Sequence, residues 1–175
     1  MSRRALLLLP LLAACAGAAM PDPVRLPRDS VEGAGDPTRA AVSRAAYAFN
    51  QPGHLAGRPA EAARAIADLE FLAAALPFDP RYQQRDPLLP VRLAQARSEW
   101  RAVLGISDAQ PAQPVIDVLY AMARTGIPAL PAGLFAPNAL ATLAALPPLP
   151  QTARAASAAS RVQAESSIPT GLRRL

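Results

Sequence analysis

Four stretches of the chain place apolar side chains at helical spacing. In the first, Val42, Ala45 and Phe49 share a face, and Arg39 and Ser43 turn away from it. Asp36-Pro37 precedes it, an N-cap acceptor followed by a proline at the first helical position. The spacing predicts a helix over 37–50, ended by Gln51-Pro52-Gly53. In the second, Ala62, Ile66, Leu69, Ala73 and Leu76 step by three and four, with Glu61, Arg64 and Asp68 on a polar face opposite. This predicts a helix from Pro59 to about Leu76. Phe71 falls on the Arg64 side. Either it packs under a neighbouring segment, where Ala67, Ala74 and Ala75 permit close approach, or it is an exposed aromatic at a contact surface.

The third stretch is the clearest. Leu89, Leu93, Ala96, Trp100 and Val103 form its stripe, between a second Asp-Pro start at Asp86 and Gly105, a natural C-cap. Trp100 is its expected core anchor. Arg92 and Glu99 lie on one flank, Arg97 and Arg101 on the other, as a solvated face. The fourth runs from Pro114 to Gly126, with Val115, Val118, Leu119 and Met122 widened by Ile116 and Ala123. A helix this apolar is expected at the centre.

The remainder is coarser. Pro77 to Arg85 reads as a connector, and 127–137 as a Pro-rich wrap over the bundle. A short helix follows over Ala139 to Leu146, then a stiff break at Pro147–Pro150. Thr152 to Ser166 is alanine- and serine-rich with Val162 its only large aliphatic side chain, so it is expected to be peripheral, before a disordered end with Arg173 and Arg174. Alternating β-branched runs are absent. The fold class is therefore all-α: a bundle of four to five helices over 36–146, with 147–175 outside it and 15–35 as an extended tether.

The start of the chain has a different character. Arg3 and Arg4 precede an apolar run from Ala5, broken by Pro10 and ending at Cys15. A basic segment followed by a short apolar one is the pattern of an export signal, and a membrane span needs about 20 apolar residues. Leu12-Ala13-Ala14-Cys15 resembles the lipobox of bacterial lipoproteins. The resemblance implies cleavage between Ala14 and Cys15, diacylglycerol on the Cys15 sulfur and acylation of its new amino group. It thus implies a palmitate-type lipid anchor, a periplasm-facing location, and a membrane partner. Ala16, where some lipoproteins carry an inner-membrane aspartate, implies the outer membrane over the inner. The alternative is ordinary secretion with cleavage after Ala16-Gly17-Ala18.

Composition narrows the chemistry. The 175 residues hold eighteen arginines and no lysine, at a formal net charge of +5. Loss of Arg3 and Arg4 with the signal lowers it by two, to +3. The arginines are scattered, which speaks against a nucleic-acid interface. Cys15 is the only cysteine, so no intramolecular disulfide forms. His54 is the only histidine and sits in a Pro-Gly-His-Leu-Ala-Gly loop, which leaves no histidine–cysteine metal site and no convincing triad. Glu61 and Asp68 are expected in solvent; Glu70 and Asp117 lie nearer apolar positions and are expected in salt bridges. No phosphate loop or dinucleotide fingerprint is present. No cofactor and no enzymatic activity are expected. Phe71, Arg81, Tyr82, Arg97 and Arg101 form a candidate interaction surface. Two function classes follow. The first is a non-catalytic envelope lipoprotein that binds another envelope protein, with an exposed apolar patch rimmed by arginine. The second is a carrier of a small apolar ligand or lipid, with a pocket between the third and fourth of the helices above.

Overall fold

The computed structural model describes residues 23–31, 35–51, 53–126 and 130–167. Within them the chain is all-α, with no strand. Seven α-helices occur among the described residues: α1 Pro37–Asn50, α2 Pro59–Ala75, α3 Pro80–Gln83, α4 Leu89–Leu104, α5 Ala112–Thr125, α6 Ala139–Ala144 and α7 Pro150–Ser167. Five of them are long. Short 3-10 turns lie at Arg28–Ser30 and Leu76–Phe78.

Local chemistry sets the boundaries. Asp36 accepts from the N–H of Thr38 at 2.9 Å and of Arg39 at 3.3 Å, satisfying two donors that the first turn of α1 leaves open. Asp79-Pro80 uses the same device, Asp79 accepting from Arg81 N–H at 2.9 Å, and so opens α3 inside the expected connector. Asp86 accepts from Leu88 N–H at 3.1 Å in a turn before α4. At the other ends, Gly105 and Gly126 adopt left-handed conformations and cap α4 and α5. Gly105 has a second constraint: a Cβ there would lie 2.4 Å from the Cβ of Ala136, whose N–H donates to Leu104 O at 3.0 Å. This is where the 130–136 segment folds back on the bundle, with Phe135 buried.

α1, α2, α4 and α7 close a four-membered ring. α2 packs on α1 and α4 from one side, and α7 packs on the same two from the other. α5 lies against α2 outside the ring, and α6 touches α2 and α4. The enclosed helix is therefore α2, not α5 as its apolar sequence suggested. Ala62, Ala63, Ala65 and Ala67 keep the surface of α2 low on several sides, so neighbours approach closely all round. α5 buries Val115, Ile116, Leu119 and Met122 but leaves Pro114, Asp117 and Arg124 exposed.

Two expectations about the ends are corrected. α7 is an integral wall, with Thr152, Ala155, Ala156, Ala158, Ala159 and Val162 buried. Its small side chains bring the backbone close to α1 and α4; each buried methyl contributes about 0.8 kcal/mol, so four alanines contribute roughly 3 kcal/mol. Residues 23–31 of the expected tether are likewise docked. Val24 and Leu26 pack against the core, and Gln113 on α5 holds the backbone of Arg25 through both its amide oxygen and its amide nitrogen, at 2.8 and 3.0 Å.

Candidate functional site

α2 carries two buried carboxylates, Asp68 and Glu70. Two residues apart on a helix, they point to opposite sides. Asp68 faces α1 and α5. Arg44 of α1 grips it with two bonds of 2.8 Å, and the Tyr120 hydroxyl of α5 donates to the same carboxylate. Arg44 also donates to Ser30 O at 3.0 Å, where Arg64 joins it at 3.2 Å. Burial opposes the charge on Arg44, but the Asp68 pair outweighs it and raises the guanidinium pKa. Burial, reinforced by the Asp68 charge, pushes the Tyr120 phenol far up.

Glu70 faces α4. It accepts from Arg97 Nε and Nη2 at 2.9 and 2.6 Å, from Trp100 Nε1 at 2.9 Å, and from Arg101. Arg101 is 1% exposed, and its Nη1 donates to the carbonyls of Ser107, Asp108 and Gln110, tying down the loop after α4. Burial works to raise the Glu70 pKa, but the two arginines outweigh it and hold the carboxyl below its usual range. A third carboxylate, Glu99, caps α7 from α4, accepting from Gln151 N at 3.2 Å, Thr152 N at 2.8 Å and Thr152 Oγ1 at 2.7 Å.

These ties dismantle much of the expected interaction surface. Arg101, Phe71 and Tyr82 are buried. Arg97 is half-buried on Glu70. Arg81 alone is well exposed, paired with Asp79 at 2.6 Å and with Asp36 at 3.8 Å. The flank of α4 expected to be solvated is a buried ion cluster, because α2 supplies the carboxylate that makes burial of Arg101 tolerable. Asp68, expected in solvent, is buried for the same reason. Glu70 does form the expected salt bridge, whereas Asp117 is exposed and accepts from Gln113 at 2.8 Å.

His54 borders a cavity of about 180 Å³ with Arg44, Tyr47, Glu61, Arg64 and Asp68. Its Nε2 lies 3.1 Å from Glu61, and its ring meets Tyr47 edge-on at 4.6 Å. The floor of this cavity, Arg44 and Asp68, is already committed to Tyr120 and Ser30. Among the described residues no group of three or more His, Cys, Asp or Glu is placed to hold a metal.

Two larger concavities lie elsewhere, over α7 where it meets α1 and α4. One, of about 630 Å³, is lined by Asn50, Arg92, Gln95, Gln151, Ala153, Arg154, Ser157 and Arg161. Among the described residues no carboxylate lines it. The other, of about 410 Å³, is an apolar trough built largely by Phe49, Leu55, Leu146, Pro147, Pro148 and Leu149. Ala153 lines both, so a basic concavity and an apolar one adjoin at that residue and are together called the groove below. A pocket between α4 and α5, the place expected for a ligand, is not where the concavity lies; α5 packs on α2 instead. Arg154, Ser157 and Arg161 follow i, i+3, i+7 on α7, a spacing visible in the sequence but hidden there by reading the segment as peripheral.

Ala14 and Cys15, with the rest of the export signal and the tail carrying Arg173 and Arg174, lie outside the described residues. Among the described residues no helix is long and apolar enough to cross a membrane. Comparison with protein-family models, with curated proteins and with solved structures finds no match.

Proposed function

We propose that the chain is a lipid-anchored envelope protein that acts as a non-catalytic binding module and carrier, its ligand held in the groove over α1 and α7. The observation that carries this reading is the groove itself: about 630 Å³ of arginine- and amide-lined space adjoining, at Ala153, about 410 Å³ of apolar trough. Small-molecule sites are concave, mostly apolar and anchored by a few polar groups, at roughly 300–1,000 Å³. The interior carboxylates have structural work, Asp68 and Glu70 as cross-ties and Glu99 as a cap, which favours binding over catalysis. The lipobox-like Leu12-Ala13-Ala14-Cys15 supports cleavage before Cys15 and acylation there, with the domain facing the periplasm from the outer membrane.

A second reading, docking of another envelope protein, has its own support. Phe78, Leu88 and Val91 are 59%, 59% and 53% exposed along the connection from α2 to α4. Arg81, Arg85 and Arg92 are interspersed with them in the sequence. Exposed apolar side chains with cations nearby in the chain suit a protein contact.

The test is the intact mass of the protein purified from membranes, with N-terminal peptide mapping and mass spectrometry of its organic extract. The expected result is a chain starting at Cys15 with added acyl mass, together with a stoichiometric small molecule. An unmodified soluble chain starting near Ala19 would sink the anchored reading, and a protein partner without extractable ligand would favour docking at 78–91.

A further inference from the structure

We infer that the groove takes a single-chain anionic amphiphile, its phosphate or carboxylate head at the arginines of α7 and its acyl chain along the trough. The inference rests on the carrier reading and names its ligand. Three features set the head-group chemistry. Arg154 and Arg161 lie two turns apart on α7, are exposed, and make no ion pair among the described residues. Arg92 joins them from α4 and spends one Nη1 on Asp86, leaving other donors of its fork. Among the described residues the lining itself holds no acid; its other polar groups are Asn50, Gln95, Gln151 and Ser157, all neutral. Guanidinium forks match the planar or tetrahedral oxygens of carboxylate and phosphate, often with two parallel bonds.

The tail is set by the other half. Among the described residues no charged side chain lines the trough, and its walls are mainly leucine, phenylalanine, proline and alanine, with Gln51 the one polar side chain. Pro147, Pro148 and Pro150 fix the backbone of one wall, so the trough is largely formed before a ligand arrives. Its volume suits one chain. The two halves adjoin at Ala153, whose methyl is the smallest side chain that could stand between them short of glycine. A free anion would leave the trough empty, and a neutral lipid would leave Arg154 and Arg161 without an opposite charge. An amphiphile with one anionic head uses both.

The test is calorimetric titration of the full chain carrying Cys15→Ser, purified without detergent, with dodecyl phosphate below its micelle concentration. Dodecyl maltoside supplies the same tail on a neutral head, and inorganic phosphate the head alone. The expected result is saturable one-to-one binding of dodecyl phosphate, with both controls at least tenfold weaker. The double variant Arg154→Gln/Arg161→Gln, which changes only exposed side chains, is expected to weaken dodecyl phosphate at least tenfold and leave dodecyl maltoside unchanged. Ala153→Trp, at the junction, is expected to weaken both. Circular dichroism checks that each variant is folded. Equal binding of the two detergents, an unchanged double variant, or equal binding of inorganic phosphate would overturn the inference. Tighter binding of an acidic peptide, lost on Ala153→Trp, would also overturn it while leaving the groove as a binding site. Binding of none of these, with no extractable ligand in the native protein, would bring down the carrier reading too.

Discussion

Replacement of Glu70 by glutamine tests the architecture at its most connected point. The side chain keeps its volume, so no cavity opens and the effect is electrostatic. Arg97, at 28% side-chain exposure, can turn to water. Arg101 cannot: it is 1% exposed and held by three loop carbonyls. Its guanidinium would remain buried opposite a neutral amide, and removal of one partner from a buried pair costs about 3–5 kcal/mol. Trp100 is the only tryptophan, is fully buried and donates to Glu70, so its fluorescence in urea reports unfolding from the site itself. The expected loss is thus about 3–5 kcal/mol. Adding Arg101→Met to a Glu70→Leu background should cost less than the sum of the singles, with a coupling of roughly 1–3 kcal/mol. The pH dependence has a definite sign. The folded carboxyl is held below its ordinary value of 4.5. Its contribution is therefore complete above about pH 4.5 and fades as pH falls through the lowered folded value. Glu70→Gln should flatten that acid limb. A loss below about 1 kcal/mol, or an unchanged acid limb, would refute the view that this cluster ties α2 to α4.

The other predictions follow from single contacts. Gly105→Ala should destabilise by roughly 2–4 kcal/mol, combining left-handed strain with the clash on Ala136, whereas Gly126→Ala, at a similar φ in open space, should cost about 1–2 kcal/mol; thermal unfolding separates them. Tyr120 has a phenol pKa raised above its ordinary 10.0, so its contribution is full below pH 10 and lost as pH rises toward the folded value; Tyr120→Phe should flatten the alkaline limb of stability measured by urea midpoints from pH 9 upward. Glu99→Ala should remove the cap of α7 and cost about 1–2 kcal/mol, with faster amide exchange confined first to the start of that helix.

The helices themselves were largely written in the sequence. Asp36-Pro37 and Gly105 mark their boundaries by local hydrogen bonding, which needs no tertiary information, and α1 runs over the expected 37–50. The third such start, Asp79-Pro80, was equally visible and opens a helix in what reads as a connector. The arrangement was not legible for a physical reason. Helical spacing shows one face, and α2 is buried on several, its alanines looking neutral to any test of amphipathicity. The same blindness made α7 look peripheral. Asp68 and Arg101 look like solvated residues because each is buried only by virtue of a partner 24 or 31 positions away. The groove inherits this: Arg154 and Arg161 gain meaning only once α7 is a wall.

The central claim is that this groove is the ligand-binding surface of the protein. A photo-crosslinking side chain at position 153, in the full chain expressed and irradiated in cells, tests it most directly, with the same side chain at exposed position 117 on α5 as reference. The account predicts a small-molecule adduct of acyl-lipid mass at 153 and none at 117. Equal labelling at both positions, or none at 153, would contradict it.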